Sequence, residues 1–105
     1  MLSWAFENLI KNSVDAIERG EGKILIELTS IYNNQIQIDI IDSGKGVPRK
    51  DRLNIFKPGF SSKKRGWGLG LSLTKRIIEE LHQGSVFVLK SQPGETVVRV
   101  ILNLK

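Results

Sequence analysis

The chain has 105 residues, of which 40% are hydrophobic and 26% are charged, and this length and composition indicate a single globular domain. It contains no cysteine and one histidine, which excludes disulfide scaffolds, thiol catalysis and metal sites built from several cysteines or histidines. No apolar run approaches the roughly 18 residues that a membrane-spanning helix requires, and the first residues lack the features of a signal peptide.

The net charge of +5 is unevenly distributed along the chain. Residues 45–65 hold eight of the sixteen basic residues and one acidic residue, and six of the ten glycines lie between Gly44 and Gly70. A basic, glycine-rich segment is typical of a site for an anionic ligand, although a solvated loop would have the same composition.

The first half of the chain predicts one helix followed by a β-hairpin. Apolar residues recur at helical spacing over residues 2–19, and two glycines just beyond are expected to end this helix. Apolar and polar residues then alternate over 23–29 and again over 35–42, which predicts two strands. Asn33-Asn34 between them is a turn signal, so the two strands should pair as a hairpin.

The middle of the chain predicts irregular structure and then a second helix. Residues 43–52 indicate a loop, residues 53–56 a short helical turn, and residues 57–67 a basic loop of the kind that often carries function. A helix is predicted over 68–82. Its buried face is expected to carry four apolar residues at helical spacing, namely Leu69, Leu73, Ile77 and Leu81.

Two more strands are predicted at the end of the chain, over 85–90 and 96–103, joined by a Pro93-Gly94 turn. The order of elements is therefore helix, two strands, loop, helix, two strands. Two amphipathic helices that cover one face of a sheet of local hairpins make a two-layer α+β sandwich. We accordingly predict one α+β domain over residues 1–105.

Three polar side chains form a stripe on the first predicted helix. Asn8, Asn12 and Asp15 are spaced so that they lie on one face. Amide oxygens are hard, neutral ligands that suit a magnesium ion bound mainly by phosphates and water. An exposed polar helix face would show the same spacing.

Asp42-Ser43-Gly44-Lys45-Gly46 follows the second predicted strand. A carboxylate at the end of a strand can accept a hydrogen bond from an exocyclic amine such as that of adenine, and the glycines allow a ligand to approach the backbone. An ordinary turn has similar residues.

Gly66-Trp67-Gly68-Leu69-Gly70-Leu71 opens the second predicted helix. Glycines before a helix let backbone N–H groups bind phosphates. The segment matches neither a Rossmann fingerprint, because position 71 is leucine and a polar loop precedes it, nor a P-loop. Three basic residues just before it, at 63–65, could neutralise phosphate charge.

Five segments together resemble the sequence boxes of the GHKL ATP-binding superfamily, in the form found in bacterial two-component sensor histidine kinases. In chain order they are similar to the N box, the first glycine box, the F box, the second glycine box and the glycine-threonine stretch before the last strand. These segments are Asn8 to Ser13, Asp42 to Gly46, Ile55 to Phe60, Gly66 to Leu71, and Glu95-Thr96. They occur in the family's order and span nearly the whole chain.

The resemblance implies the Bergerat fold, a mixed sheet covered on one face by helices, with ATP and Mg²⁺ bound between the helices and a flexible lid formed by residues 57–65. It implies that Asn12 is the Mg²⁺ ligand with Asn8 supporting it, and that Asp42 binds the adenine amino group. Thr96 would join Asp42 through a water molecule. The residues assigned to ATP binding by this resemblance are Asn8, Lys11, Asn12, Asp15, Asp42, Gly44, Gly46, Val47, Phe56, Phe60, Ser61, Ser62, Lys63, Lys64, Arg65, Gly66, Trp67, Gly68, Leu69, Gly70, Leu71 and Thr96.

The sequence departs from the family pattern at several points. Trp67 stands where threonine is commoner, so a hydroxyl on the phosphate side is missing. Asn8 stands where the ATP-hydrolysing relatives carry a glutamate, and asparagine cannot act as a general base, which favours transfer to a partner group over hydrolysis. Glu7 is a minor catalytic candidate for polarising the acceptor histidine. The helical hairpin that carries this histidine, and part of the usual first strand and helix, are not found in the sequence.

We therefore expect the catalytic and ATP-binding domain of a sensor histidine kinase, truncated at its N-terminus. It would donate the γ-phosphoryl group of Mg-ATP to a histidine on a separate dimerisation and phosphoacceptor domain, upstream of a response regulator, and show little turnover alone. We expect a cytoplasmic, monomeric fragment of a homodimeric kinase, and no binding of nucleic acid; the sequence leaves membrane anchoring of the parent kinase open. Two alternatives stay open: another GHKL kinase, such as a serine kinase acting on an anti-sigma partner, and a nucleic-acid-binding module that uses the basic segment 45–65.

Overall fold

The computed structural model describes residues 2–17, 21–31, 34–57 and 70–103. Two helices lie on one face of a four-stranded sheet, which confirms the predicted two-layer α+β class. In chain order the helices and strands are α1 (Leu2–Ala16), β1 (Ile24–Ile31), β2 (Gln35–Asp42), α2 (Gly70–Arg76), β3 (Ser85–Gln92) and β4 (Glu95–Asn103). Two short 3₁₀ turns, Arg49–Asp51 and Asn54–Phe56, lie between β2 and α2, and a π-helical turn, Ile77–Leu81, continues α2.

The sheet has the strand order β1-β2-β4-β3, and every pair of neighbours is antiparallel. The mixed sheet implied by the family resemblance is therefore not what the described strands form. Two of the three pairings are local hairpins, β1 with β2 and β3 with β4, and the third, long-range pairing of β2 with β4 is antiparallel as well. At one edge, β1 exposes three apolar side chains, those of Leu25, Ile26 and Leu28.

Alternation along the two central strands decides which face of the sheet receives the helices. On β2 and β4 the residues at even positions form cross-strand pairs such as Ile40 with Val98 and Ile38 with Val100, and these side chains enter the core. On the opposite face, Asp39 forms a bidentate pair with Arg99, at 2.8 and 2.9 Å. The hydrogen bonds that Arg99 donates to the Asp39 carboxylate raise the pKa of Arg99 above its usual value, although burial opposes this shift.

Helix α1 is shorter than the sequence predicted, because it ends at Ala16 rather than near residue 19. The Ala16 carbonyl accepts a hydrogen bond from the Lys45 N–H at 3.0 Å, so the loop after β2 satisfies one of the last carbonyls of the helix. On the buried side of α1, Ala5, Leu9 and Ser13 recur every four residues, as a helix face requires.

The predicted apolar face of the second helix was wrong at two positions: Ile77 is buried as expected and Leu69 lies outside the described residues, but Leu73 and Leu81 are not buried. Leu73 and Leu81 are 41% and 62% exposed, and they line a shallow groove together with Trp4. The buried side chains of α2 include Ser72 and Thr74, and the Thr74 hydroxyl donates a hydrogen bond to the Gly70 carbonyl at 2.8 Å. That internal bond lets a hydroxyl occupy the core side. The π-helical turn Ile77–Leu81 changes the angular spacing of its own residues, and Leu81 at its end is exposed rather than aligned with Ile77.

No helix among the described residues is long and apolar enough to cross a bilayer.

Candidate functional site

Two buried polar side chains lie next to each other where β2 ends and β4 begins. Asp42 is 4% exposed and Thr96 is 5% exposed. They are directly opposite partners in the β2–β4 register, so their side chains share the face of the sheet that carries the helices. Asp42 Oδ1 accepts a hydrogen bond from the Gly44 N–H at 2.8 Å. A carboxylate buried beside a hydroxyl can recognise a ligand that offers both a donor and an acceptor.

The loop after Asp42 is held closely by α1. A Cβ atom on Gly44 would lie 2.7 Å from the Ala16 Cβ and carbonyl oxygen, so a larger residue here would force the loop away from the helix. On the other side, Ser43 Oγ accepts a hydrogen bond from the Lys23 N–H at 2.8 Å. The backbone next to Asp42 is therefore fixed on both sides.

The same loop also contacts the turn between β3 and β4. The Gly94 N–H donates to the Gly44 carbonyl at 2.9 Å. Gly46 adopts a φ of 89°, and a Cβ atom on it would lie 3.0 Å from the Gln92 carbonyl. Glycine is required here by both its backbone conformation and the close approach of the turn.

Two residues that the sequence did not single out, Ser91 and Arg52, complete this end of the sheet. Ser91 Oγ accepts a hydrogen bond from the Val47 N–H at 2.7 Å and lies 2.7 Å from Thr96 Oγ1. Arg52 Nη2 donates to the Ser91 carbonyl at 2.8 Å. A serine in a strand and an arginine in a basic loop carry no sequence signal that would have found them.

The polar stripe on α1 lies beside the start of α2. Asn8 and Asn12 are half-buried, whereas Lys11 and Asp15 are exposed. A Cβ atom on Gly70 would lie 2.9 Å from Asn8 Oδ1. The structure thus brings Asn8, from the segment that resembles the N box, against Gly70, from the segment that resembles the second glycine box. The exposed side chain of Glu7 also lies on α1.

The described residues include only part of the predicted lid and second glycine segment. Phe56 is buried in the core, and Lys75 Nζ lies 5.8 Å from the centroid of its ring. Leu71 is half-buried and packs against the core. The other predicted site residues in this region lie outside the described residues, namely Phe60, Ser61, Ser62, Lys63, Lys64, Arg65, Gly66, Trp67, Gly68 and Leu69.

Acidic and histidine side chains do not build a metal site in the described part of the chain, where no group of three or more such residues comes together. On α1, the neutral oxygen atoms that could bind a metal ion at the predicted positions are the amide oxygens of Asn8 and Asn12. Such a donor set suits an ion that keeps most of its ligands from water and phosphate.

The whole chain, residues 1–105, matches the family described as histidine kinase-, DNA gyrase B-, and HSP90-like ATPases. The sensory histidine kinase/phosphatase NtrB of Rhodobacter capsulatus is 34% identical over 113 residues, which cover 96% of this chain and 31% of NtrB. The chain therefore spans less than a third of the length of NtrB. It spans 12% of the length of another relative, the nitrogen regulation protein NtrY.

Solved structures agree with this match. The catalytic domain of the histidine kinase ThkA has a TM-score of 0.81 and 29% identity, covering 94% of this chain and 63% of that one. ThkA in complex with the response regulator protein TrrA has a TM-score of 0.75 and 26% identity, covering 93% and 27% of the two chains. This chain therefore belongs to the family of histidine kinase-, DNA gyrase B- and HSP90-like ATPases, and its similar relatives are sensor histidine kinases.

Proposed function

We propose that this chain is the catalytic domain of a sensor histidine kinase, which binds Mg-ATP and presents its γ-phosphoryl group to a histidine on a separate domain. The observation that carries the proposal is the buried Asp42–Thr96 pair, which lies where the glycine-containing loop begins, in a chain that matches the family over its full length. The Gly44 N–H donates to Asp42 Oδ1, and Thr96 Oγ1 contacts Ser91 Oγ, so Asp42 Oδ2 is the carboxylate oxygen of this pair that a ligand would engage.

Adenine would lie against the Asp42–Thr96 pair. Because Asp42 Oδ1 accepts the Gly44 N–H, we assign Oδ2 to the exocyclic amino group of the base. Thr96, which faces the same side of the sheet, would form a hydrogen bond with the neighbouring ring nitrogen, directly or through a water molecule. Gly46 keeps the backbone beside the base free of a side chain.

The phosphates would lie toward the stripe on α1. The amide oxygens of Asn8 and Asn12 fit a magnesium ion whose other ligands are phosphate oxygens and water. Because these two side chains are neutral, the negative charge around the ion would come from the phosphates. When bound, the ion would neutralise charge on the phosphate groups. Asn12 would hold the ion and Asn8 would support it. The contact between Gly70 and Asn8 supports this arrangement, because it joins α1 to the segment that would cover the phosphates.

Transfer, rather than hydrolysis, suits the residues on α1. The side chain of Asn8 cannot remove a proton from water, so the chain has no general base at this position. Glu7 is exposed and is turned by about 100° from Asn8 around the helix. It would meet a group that approaches from outside the domain, and we keep it as a candidate for polarising the acceptor histidine. Catalysis would then rest mainly on positioning and charge neutralisation.

The intact kinase would supply the remaining parts of the reaction. We propose a dimerisation domain that carries the acceptor histidine, a response regulator that receives the phosphoryl group, and a cytoplasmic location for this domain. The names of the relatives favour a histidine kinase over a serine kinase, and the ThkA structure contains a response regulator protein.

Binding of Mg-ATP should stabilise the fold, and this tests the proposal directly. A ligand at 100 times its Kd adds about 2.7 kcal/mol to the stability of the folded state. For a domain of this size that corresponds to roughly 10–20 °C in Tm, at about 4–8 °C per kcal/mol. The measurement is a thermal melt with Mg-ATP, with magnesium alone and with double-stranded DNA. No shift at millimolar Mg-ATP, or a salt-sensitive shift with DNA alone, would contradict the proposal.

A further inference from the structure

A β-bulge in β3 decides which side chain meets Thr96. Val88 pairs with Val98, but the next pair is Lys90 with Val97, so Leu89 is an extra residue in β3. In regular alternation from Val88, residue 90 would face the helices. The bulge shifts the alternation by one, because an inserted residue reverses the faces of all residues beyond it.

The consequence is that Ser91, rather than Lys90, lies opposite Thr96 on the helix side of the sheet. Ser91 Oγ then comes within 2.7 Å of Thr96 Oγ1. Its backbone is held as well, because Arg52 Nη2 donates to the Ser91 carbonyl at 2.8 Å. Both the strand and the hydroxyl of Ser91 are therefore fixed beside the Asp42–Thr96 pair.

The hydrogen bond from the Val47 N–H indicates which hydroxyl is the donor in the contact between Ser91 and Thr96. A backbone N–H can only donate, so Ser91 Oγ acts as the acceptor in its 2.7 Å contact with the Val47 nitrogen. A hydroxyl that accepts a hydrogen bond becomes a better donor. The Ser91 hydroxyl then donates a hydrogen bond to Thr96 Oγ1, and the Thr96 hydroxyl can donate its own proton to a further acceptor.

We propose that Ser91 is a positioning residue that orients the Thr96 hydroxyl as a donor in the base pocket, and that it thereby sets the preference for adenine over 6-oxopurines. This inference rests on the proposed function. Adenine offers an amino donor to Asp42 and an unprotonated ring nitrogen to Thr96. Hypoxanthine offers a carbonyl oxygen and a ring N–H at the same two positions, so it opposes both groups.

The test compares ATP with ITP, the hypoxanthine nucleotide, by calorimetric titration of the 105-residue chain with magnesium present. Ser91→Ala removes the hydroxyl, and we expect the Kd for ATP to rise about 3- to 10-fold, as for one lost neutral hydrogen bond. The Kd for ITP should change less than about twofold, because ITP gains nothing from an oriented donor. Ser85→Ala, at the exposed start of the same strand, is the matched control and should change neither value.

A pair of variants of nearly equal shape separates the hydroxyl from packing. Ser91→Thr keeps a hydroxyl and should retain the preference for ATP, whereas Ser91→Val replaces that hydroxyl by a methyl group and should lose it. Thermal melts without nucleotide report whether each variant folds. This pair keeps the inference testable if Ser91→Ala proves unstable.

The outcomes distinguish the inference from the proposed function. A wild-type chain that bound neither nucleotide would overturn both. A wild-type chain that preferred ATP, with equal losses for ATP and ITP in Ser91→Ala and equal behaviour of the Thr and Val variants, would overturn only the role of Ser91. A selective loss of ATP binding that Ser91→Thr rescues would support it.

Discussion

Replacing Asp42 by asparagine should change which purine the chain prefers while leaving the fold intact. The asparagine oxygen can still accept the Gly44 N–H, which now lies 2.8 Å from Asp42 Oδ1, so the turn keeps its shape. Losing the charge weakens this hydrogen bond, and we expect a loss of about 0.5–1.5 kcal/mol in the free energy of unfolding. The amide nitrogen then takes the place of Oδ2 and presents a donor to the amino group of adenine.

The effect on ATP follows from the burial of this position. Because Asp42 is only 4% exposed, water cannot readily compensate for two donors that face each other. We expect a loss of about 1–3 kcal/mol in the binding free energy of ATP, which is a roughly 5- to 150-fold higher Kd. GTP should lose much less, because its carbonyl oxygen at the corresponding ring position can accept a hydrogen bond from the new amide.

The assay is calorimetric titration of the wild-type and Asp42→Asn chains with ATP and with GTP, each in magnesium. Asp51→Asn is a suitable control, since it removes the same charge from the loop that follows and should leave both affinities unchanged. Thermal melts of the nucleotide-free chains report any loss of stability. Equal losses for ATP and GTP in Asp42→Asn would remove Asp42 from the base pocket and refute the assignment.

Two other substitutions test the phosphate side of the site. Asn12→Ala should leave the fold at least as stable, because alanine is the better helix former, and should leave metal-free ADP binding nearly unchanged. It should reduce the increment that magnesium adds to ATP binding, and titrations with and without magnesium would show an unchanged increment if the stripe were only a polar surface. Gly70→Ala should not weaken the fold, because among the described residues its Cβ would meet the end of the Asn8 side chain, at 2.9 Å, and this side chain can move. Its Mg-ATP affinity should nevertheless fall as Asn8 is displaced, and an unchanged affinity would separate Asn8 from the nucleotide.

The strands were predictable because alternation is a local signal. The predicted bounds of β2 agree with the structure, and β4 begins one residue earlier than predicted. The alternating apolar residues of these two strands form the centre of the core, as the pattern indicated. Strand direction across the sheet depends on which strands pair, and this is a non-local property. The antiparallel pairing of β2 with β4 could therefore be established only from the structure.

The second helix shows where periodicity misleads. Leu73 and Leu81 are four-residue steps from Ile77 and fit an apolar stripe, yet only Ile77 of the three is buried. The core side instead passes through Thr74, whose hydroxyl is satisfied by the Gly70 carbonyl. The spacing of apolar residues therefore does not predict the buried face of a helix that contains a π-helical turn, or a buried polar residue with a hydrogen-bond partner in the same helix.

The candidate site was predictable only where its residues are neighbours in sequence. Asp42 and Gly44 lie within one motif, and their hydrogen bond is a local turn interaction. The contact between Asn8 and Gly70 joins two motifs from distant parts of the chain. Ser91 was missed because a bulge turns it toward the site, and the sequence of β3 does not mark the extra residue.

The two sides of the candidate site are built in different ways, and this bears on how the domain would work. Around the base, the loop after Asp42 is fixed by bonds to the end of α1, to the residue before β1 and to the β3–β4 turn. Each of these bonds uses at least one backbone group that must be satisfied in any case, so the proposed base pocket has little freedom. On the proposed phosphate side, the approach of Asn8 to Gly70 is made by a side-chain amide, which can rotate more readily than a hydrogen-bonded backbone. A rigid pocket for the base and an adjustable surface for the phosphates would suit the proposed function, in which the domain holds a nucleotide while its terminal phosphoryl group is transferred to another protein domain.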